Sequence, residues 1–108
     1  METAAFAPGS GWGAEPAFRV VEGVHETRLG VTEEPAYEAI EVDYDPWRVS
    51  YDDLLDVFWA EHDVGRPTAI FPRTVEQHVA AEASRKRLGE VTTAIVAAGG
   101  RFMRATPS

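Results

Sequence analysis

The chain has no cysteine among its 108 residues. That excludes a disulfide, a thiolate metal site and any thiol nucleophile. Long apolar runs are missing as well: nothing approaches the ~20 residues that a membrane-spanning helix needs. The first residues also lack the basic-then-apolar order of a secretory leader, so the expectation is a cytoplasmic protein without membrane contact. Basic residues are scarce, 10 Lys and Arg against 18 Asp and Glu, for a net charge of −8. A surface of that sign repels phosphate backbones, which argues against a nucleic-acid partner, and it keeps a small domain soluble. There is no phosphate loop, no G-x-G-x-x-G behind a strand and no H-E-x-x-H. Asp43, Asp45, Asp52, Asp53 and Asp56 cluster in sequence but lack the spacing of a calcium loop, so they read as a solvated acidic face. No cofactor and no metal are implied.

What is present is a chain with 44% hydrophobic residues and three tryptophans. At this length it forms one folded domain, residues 1–108, with a core of its own. TAAFA, stopped by Pro8 and Gly9, reads as a buried strand. A helix follows from about Gly13 to Glu22, with Ala14, Ala17, Phe18 and Val21 on one face, Pro16 in its first turn and Gly23 as its terminator. Val24 to Val31 reads as a strand, and TEEP as a turn. In AYEAIEVDYD the alternation places Ala36, Glu38, Ile40, Val42 and Tyr44 on one face. That face is apolar except for Glu38, and a buried carboxylate is costly unless it is paired.

Ser50 with Asp53 predicts a capped helix over Tyr51 to His62, with a buried stripe of Tyr51, Leu54, Leu55, Phe58 and His62. TAIF reads as a strand, and Thr74 with Gln77 as a second capping box opening a helix to Leu88. VTTAIV is a further strand ended by Gly99-Gly100. The order β-α-β-β-α-β, followed by a C-terminal helix and a strand, predicts an α/β (α+β) ferredoxin-like plait.

The stretch FAPGSGWGAEPAF, Phe6 to Phe18, puts Ser10 on a glycine-flanked turn between a strand and a helix. A serine nucleophile there needs a base within hydrogen-bond reach. The three histidines, His25, His62 and His78, fall in a strand, at a helix end and at a helix start, and none has an obvious path to Ser10.

FAPGSGWGAEPAF resembles the signature of A-type peptide methionine sulfoxide reductases, roughly F-A-G-G-C-F-W-G-x-E-x-x-F. The resemblance continues through EGVHETRLG, EAIEVDYDPWRVSYDDLLDVFWAEHD, TAIF, RTVEQHVAAEASRKRL and LGEVTTAIVAAGGRF, nearly the whole chain. In that family a cysteine attacks the sulfoxide sulfur, a glutamic acid protonates the oxygen, and a second thiol clears the sulfenic acid.

The resemblance carries this chemistry only where residues match. Ser10 stands where the family has its cysteine. A serine hydroxyl stays protonated where a thiol ionises, and it forms no sulfenic acid. Glu38 matches the family acid, and burial on the apolar face would raise its pKa; otherwise it is a strand-end glutamate paired with Arg28 or another base. Trp12 matches the tryptophan that walls the sulfoxide methyl pocket, or else packs at the sheet edge. Gly11 replaces an aromatic beside that pocket. Asp63 matches a pocket aspartate, or else belongs to an ordinary helix-terminating turn.

Val31 stands in place of one of the family's oxygen-binding tyrosines, and the other is lost near Arg66 and Pro67. Two loops are shortened, and the family's C-terminal segment with its recycling cysteines is absent.

Three functions follow from this pattern. One is a catalytically degenerate relative that binds methionine sulfoxide, another small ligand or a protein partner. Another is a different acid–base enzyme using Glu38. The last is a cysteine-to-serine form of an active peptide-methionine (S)-S-oxide reductase.

Overall fold

The computed structural model describes residues 1–9, 11–33, 36–89, 92–97 and 101–104. Among these are six strands: β1 (Glu2–Ala7), β2 (Val24–Glu33), β3 (Glu38–Tyr44), β4 (Ala69–Phe71), β5 (Ala94–Ile95) and β6 (Arg101–Arg104). Three α-helices accompany them: α1 (Glu15–Arg19), α2 (Tyr51–Glu61) and α3 (Val75–Leu88). The strands form one sheet in the order β5-β4-β1-β3-β2-β6. Its inner part, β4-β1-β3-β2, is antiparallel throughout and has the order of the split β-α-β plait. β5 extends it in parallel beside β4, and β6 extends it antiparallel beside β2. The ferredoxin-like expectation therefore holds, with one strand added at each edge.

Alternation along the central strands divides the residues between two faces. Ala4, Phe6, Ile40, Val42, Tyr44 and Ile70 point to the helices and are buried against Phe18, Leu54, Leu55, Phe58 and Ala81. The other face is built from small side chains. Ala5, Ala7, Ala39 and Ala69 lie beside Phe71 and are covered by Tyr37, Val96 and Phe102.

The same face is charged towards the amino end of β1. Arg28 donates from Nη1 and Nη2 to Asp43 at 2.7 and 2.9 Å, and from Nε to Glu41 at 3.0 Å. Thr3 donates to Asp43 at 2.8 Å, and Arg73 donates to Glu41 at 2.6 Å. The Arg28 hydrogen bonds outweigh the effect of burial and hold the Asp43 carboxyl down at about 2, while the Arg28 guanidinium is pushed upward by the same partners. Asp43 is thus part of a cross-strand ion network rather than a free solvated face.

Local sequence explains most boundaries. Ser50 accepts from the Asp53 N–H and Asp53 accepts from the Ser50 N–H, which completes the capping box of α2. The Thr74 box is only half formed. Thr74 Oγ1 accepts from the Gln77 N–H, but Gln77 Oε1 accepts from Arg73 N–H and its amide donates to the Thr3 carbonyl. Gln77 is 3% exposed, so the core contact of its side chain takes precedence over the cap.

The first helix is shorter than expected. Residues Gly11–Ala14 form a 3-10 turn, and α1 covers only Glu15–Arg19. Two glycines at its start and the β-branched Val20 and Val21 at its end disfavour a longer α-helix. Gly23 does not cap it; with φ +100 it shapes the turn into β2. β6 has no counterpart in the sequence-based expectation. The turn at residues 34–35 and the Gly99-Gly100 stop lie outside the described residues.

The Asp43 network carries a pH signature. Its carboxyl titrates lower in the folded chain than the ordinary value of 3.8, so its contribution is complete above about pH 4 and is lost as the pH falls towards 2. The shift corresponds to on the order of 2 kcal/mol. Urea unfolding of Asp43→Asn is expected to show a loss of that order at pH 7 and a flatter stability profile between pH 4 and pH 2. An Asp43→Asn profile parallel to that of the unsubstituted chain would contradict this.

Candidate functional site

The residues singled out in the sequence gather at the carboxyl end of β1. Beyond Ala7, the buried Pro8 offers its carbonyl to the Asp63 N–H at 2.8 Å. Gly9 follows with φ +92, and a Cβ there would lie 3.1 Å from both the Asp63 Cβ and the Thr68 Cγ2. Only glycine takes that conformation in that space at little cost. The strand-to-turn junction is thereby held against the segment that follows α2. Ser10 itself lies outside the described residues. Gly11 opens the 3-10 turn that carries Trp12.

Trp12 is 42% exposed, and its indole Nε1–H donates to the Gly30 carbonyl of β2 at 3.3 Å. Gly30 is where β6 approaches most closely: a Cβ on it would stand 2.3 Å from the Met103 carbonyl and 2.6 Å from the Phe102 ring. One residue further, Val31 lies opposite Glu38, the first residue of β3. Asp63 is occupied locally. Its Oδ1 accepts from the Gly65 N–H at 2.9 Å, and its Oδ2 lies 3.6 Å from Arg66 Nε. Asp63 thus belongs to a turn that packs on Pro8 and Gly9.

The burial expected for Glu38 is overturned: Glu38 is exposed. It shares the parity of Ile40 and Val42, but pairing between β1 and β3 stops at Phe6 and Ile40. Glu38 therefore lies one row past the last covered pair, at the end of the sheet. Arg28 does not pair with it, being taken by Asp43, Glu41 and Glu26. Among the described residues none donates a hydrogen bond to the Glu38 carboxylate, and none joins Trp12, Glu38 and Asp63 to one another.

Of the histidines, His62 directly precedes Asp63 and so stands nearest the carboxyl end of β1. His25 sits in the irregular stretch of β2 near Val24 and Tyr44, at the opposite end of the sheet. His78 pairs with Glu82 along α3. His62 stacks on Phe58 with centroids 5.9 Å apart, and its Nδ1 lies 2.6 Å from the Trp59 carbonyl oxygen. Among the described residues no cluster of acidic or imidazole side chains suits a metal ion, and no helix is long and apolar enough to cross a membrane.

A cavity of about 440 Å³ does open at the far end of the sheet, lined by Glu2, Tyr44, Ser50, Tyr51 and Gln77 among others. Burial pushes the Tyr44 hydroxyl up to about 12 and raises that of Tyr51 as well. Sequence reading placed nothing there.

What stands around β1's carboxyl end is therefore a partly exposed indole at Trp12, an exposed carboxylate at Glu38 and a turn at Asp63. Sequence reasoning missed Thr68 and Arg66 as walls of Gly9, and missed β6 altogether. β6 is Arg-Phe-Met-Arg, four residues long, half charged and without polar–apolar alternation, so the sequence carries no clear signal for it.

The tight seat of Gly9 is testable. Gly9→Ala places a side chain at positive φ against Asp63 and Thr68, which costs about 1–3 kcal/mol. Chemical denaturation should show that loss, and an unchanged unfolding midpoint would count against the packing described.

Comparison with known proteins gives a consistent result. The family described as "Peptide methionine sulfoxide reductase" matches residues 2–102. The protein from Methanothermobacter thermautotrophicus named peptide methionine sulfoxide reductase MsrA is 40% identical over 132 aligned residues, covering 91% of this chain and 78% of that one. Its counterpart from Salmonella arizonae is 39% identical over 114, covering 81% of this chain and 54% of its own length. An alignment of 132 positions against a chain of 108 residues means that this relative carries segments absent here.

Among solved structures, Mxr1 from Saccharomyces cerevisiae in an unusual oxidized form superposes with TM-score 0.80 at 18% identity, covering 96% of this chain and 76% of that one. The same yeast protein in complex with Trx2 gives TM-score 0.77 at 21% identity, covering 96% and 80%. These structural likenesses establish the fold, and the sequence matches establish the lineage. The chain belongs to the peptide methionine sulfoxide reductase family.

Proposed function

We propose that this chain is a non-catalytic member of its family, a binding module that takes a sulfoxide-bearing side chain or small ligand at the carboxyl end of β1. The observation that carries the reading is the absence of any cysteine from a chain whose family match runs over residues 2–102. The chemistry that the resemblance implies begins with a thiolate and passes through a sulfenic acid, and the serine at position 10 supplies neither. The binding elements are less affected by this loss. Trp12 presents an aromatic surface beside Gly30, and Glu38 stands one residue along the neighbouring pair.

Glu38's exposure counts against a different acid–base enzyme in the same place. General catalysis by a carboxyl at neutral pH draws on desolvation, and Glu38 lacks it. A protein partner is the natural extension of the binding reading, since the yeast neighbour is known in complex with Trx2. Contact of that kind would here proceed without thiol exchange.

Two measurements separate the readings. In a 15N-labelled protein titrated with N-acetylmethionine sulfoxide, the Trp12 indole and the amides of Gly30, Val31 and Glu38 should shift with half-saturation on the order of 1–10 mM, the range of a weakly held small ligand. No shift at those positions would rule out a small-ligand site. Ser10→Cys assayed with dithiothreitol should show no reduction of the sulfoxide. Turnover by Ser10→Cys would instead identify an active reductase from which only the cysteine is missing.

A further inference from the structure

β6 adds a residue to the row on which Glu38 stands. Val31 pairs with Glu38 on one side and with Met103 on the other. Directly opposed residues of antiparallel strands point to the same face. Glu38, Val31 and Met103 therefore form one line across β3, β2 and β6, one row beyond Leu29 and Ile40 on the helix-covered face.

The position of Phe102 fixes this orientation independently. Its ring lies over Gly30 on the alanine face, 2.6 Å from where a Cβ would be. Met103, its neighbour, is therefore turned to the opposite side. The Trp12 indole reaches the Gly30 carbonyl one residue from Val31. Met103 is 40% exposed, so solvent reaches this row.

Strands are spaced 4.7–4.9 Å apart, which puts Met103 and Glu38 roughly 10 Å from each other across Val31. Val31 is short, and an unbranched thioether and a glutamate together span that gap. In its reduced form Met103 is a soft apolar side chain. As a sulfoxide it acquires a strong acceptor oxygen and a sulfur at the positive end of the S–O dipole. The Trp12 N–H, now held by a long 3.3 Å bond, is a donor for that oxygen, and Glu38 suits the sulfur.

We propose that Met103 is an oxidation site whose sulfoxide becomes an intramolecular ligand of the Trp12–Glu38 row, displacing external sulfoxides. This rests on the ligand-binding reading of that row. With hydrogen peroxide as oxidant, a sulfur lone pair attacks one peroxide oxygen. The S–O bond forms as the O–O bond breaks, and the departing hydroxide takes the remaining proton to leave as water. Sulfur loses two electrons and the peroxide gains them. A chain without cysteine holds no thiol to reverse this, so the oxidised state persists until an external reductase acts on it.

The chain's other methionine, Met1, is 73% exposed and stands at the opposite end of β1, which makes it an internal control. The test treats the unsubstituted protein and Met103→Leu with hydrogen peroxide and assigns the oxidised sites by mass spectrometry. The Trp12 indole resonance is then followed with and without N-acetylmethionine sulfoxide.

Oxidation of Met103 should move the Trp12 resonance before any ligand is added and weaken the external ligand by roughly fivefold, as a tethered competitor does at an effective concentration about four times its dissociation constant. Met103→Leu, oxidised only at Met1, should show neither change. If the external ligand shifts Trp12 equally before and after oxidation of Met103, the proposal is wrong while the binding site stands. If the external ligand leaves Trp12 unmoved in both reduced proteins, the site itself fails. In that case a Trp12 shift on Met103 oxidation alone would still support the intramolecular contact, and its absence would overturn it.

Discussion

Phe6 sits at the centre of the helix-covered face with its ring stacked on three others. Phe18 of α1 lies 5.1 Å away, Tyr51 at the start of α2 5.9 Å, and Phe58 further along α2 5.7 Å. Such pairs contribute about 0.5–1.5 kcal/mol each beyond the area they bury. Because β1 also pairs with β3 on one side and β4 on the other, one side chain ties two helices to the middle of the sheet. The position of the functional end follows. Two residues beyond Phe6, the chain leaves the sheet at Pro8, whose carbonyl takes the Asp63 N–H, and Gly9 packs on the same segment. The exit of β1 at Pro8 and Gly9 is therefore fixed by the core and by the segment after α2, independently of any chemistry performed there.

That independence explains how a family fold persists without the family's nucleophile. The aromatic core, the capping box of α2 and the Arg28–Asp43–Glu41 network contain none of the residues that a thiol mechanism uses. A chain without cysteine therefore keeps the family scaffold. What remains at the sheet end is a surface on which an aromatic ring and a carboxylate flank a short valine. The charge network lies on the alanine face and extends towards the opposite end of β1, where it joins β1, β2 and β3.

Much of the fold was legible in the sequence because local signals and tertiary packing agreed. Ala4 to Ala7, Ile40 to Tyr44 and the Ser50–Asp53 cap each read correctly from alternation or capping alone. The failures occurred where neighbours overrode parity or propensity. Glu38 has the parity of a core residue, but β1 has already left the sheet beside it, and alternation says nothing about where a neighbouring strand stops. Arg28 was considered a partner for Glu38, yet register places it opposite Glu41 and within reach of Asp43. β6 is too short and too charged to stand out, and its pairing depends on Gly30 having no side chain. Trp12 and Asp63 were flagged through the family resemblance, and the bond from Trp12 to Gly30 could not be read from spacing.

The central claim is that this chain binds at the Trp12–Glu38 end of its sheet and does not reduce what it binds. The most direct measurement follows 19F resonances of 5-fluorotryptophan-labelled protein during titration with N-acetylmethionine sulfoxide in dithiothreitol, with the sulfoxide assayed in the same sample. Of the three tryptophans, only Trp12 should move, and the sulfoxide should be recovered unreduced. Accumulation of N-acetylmethionine, or a Trp12 resonance that stays in place while the ligand saturates, would contradict the account.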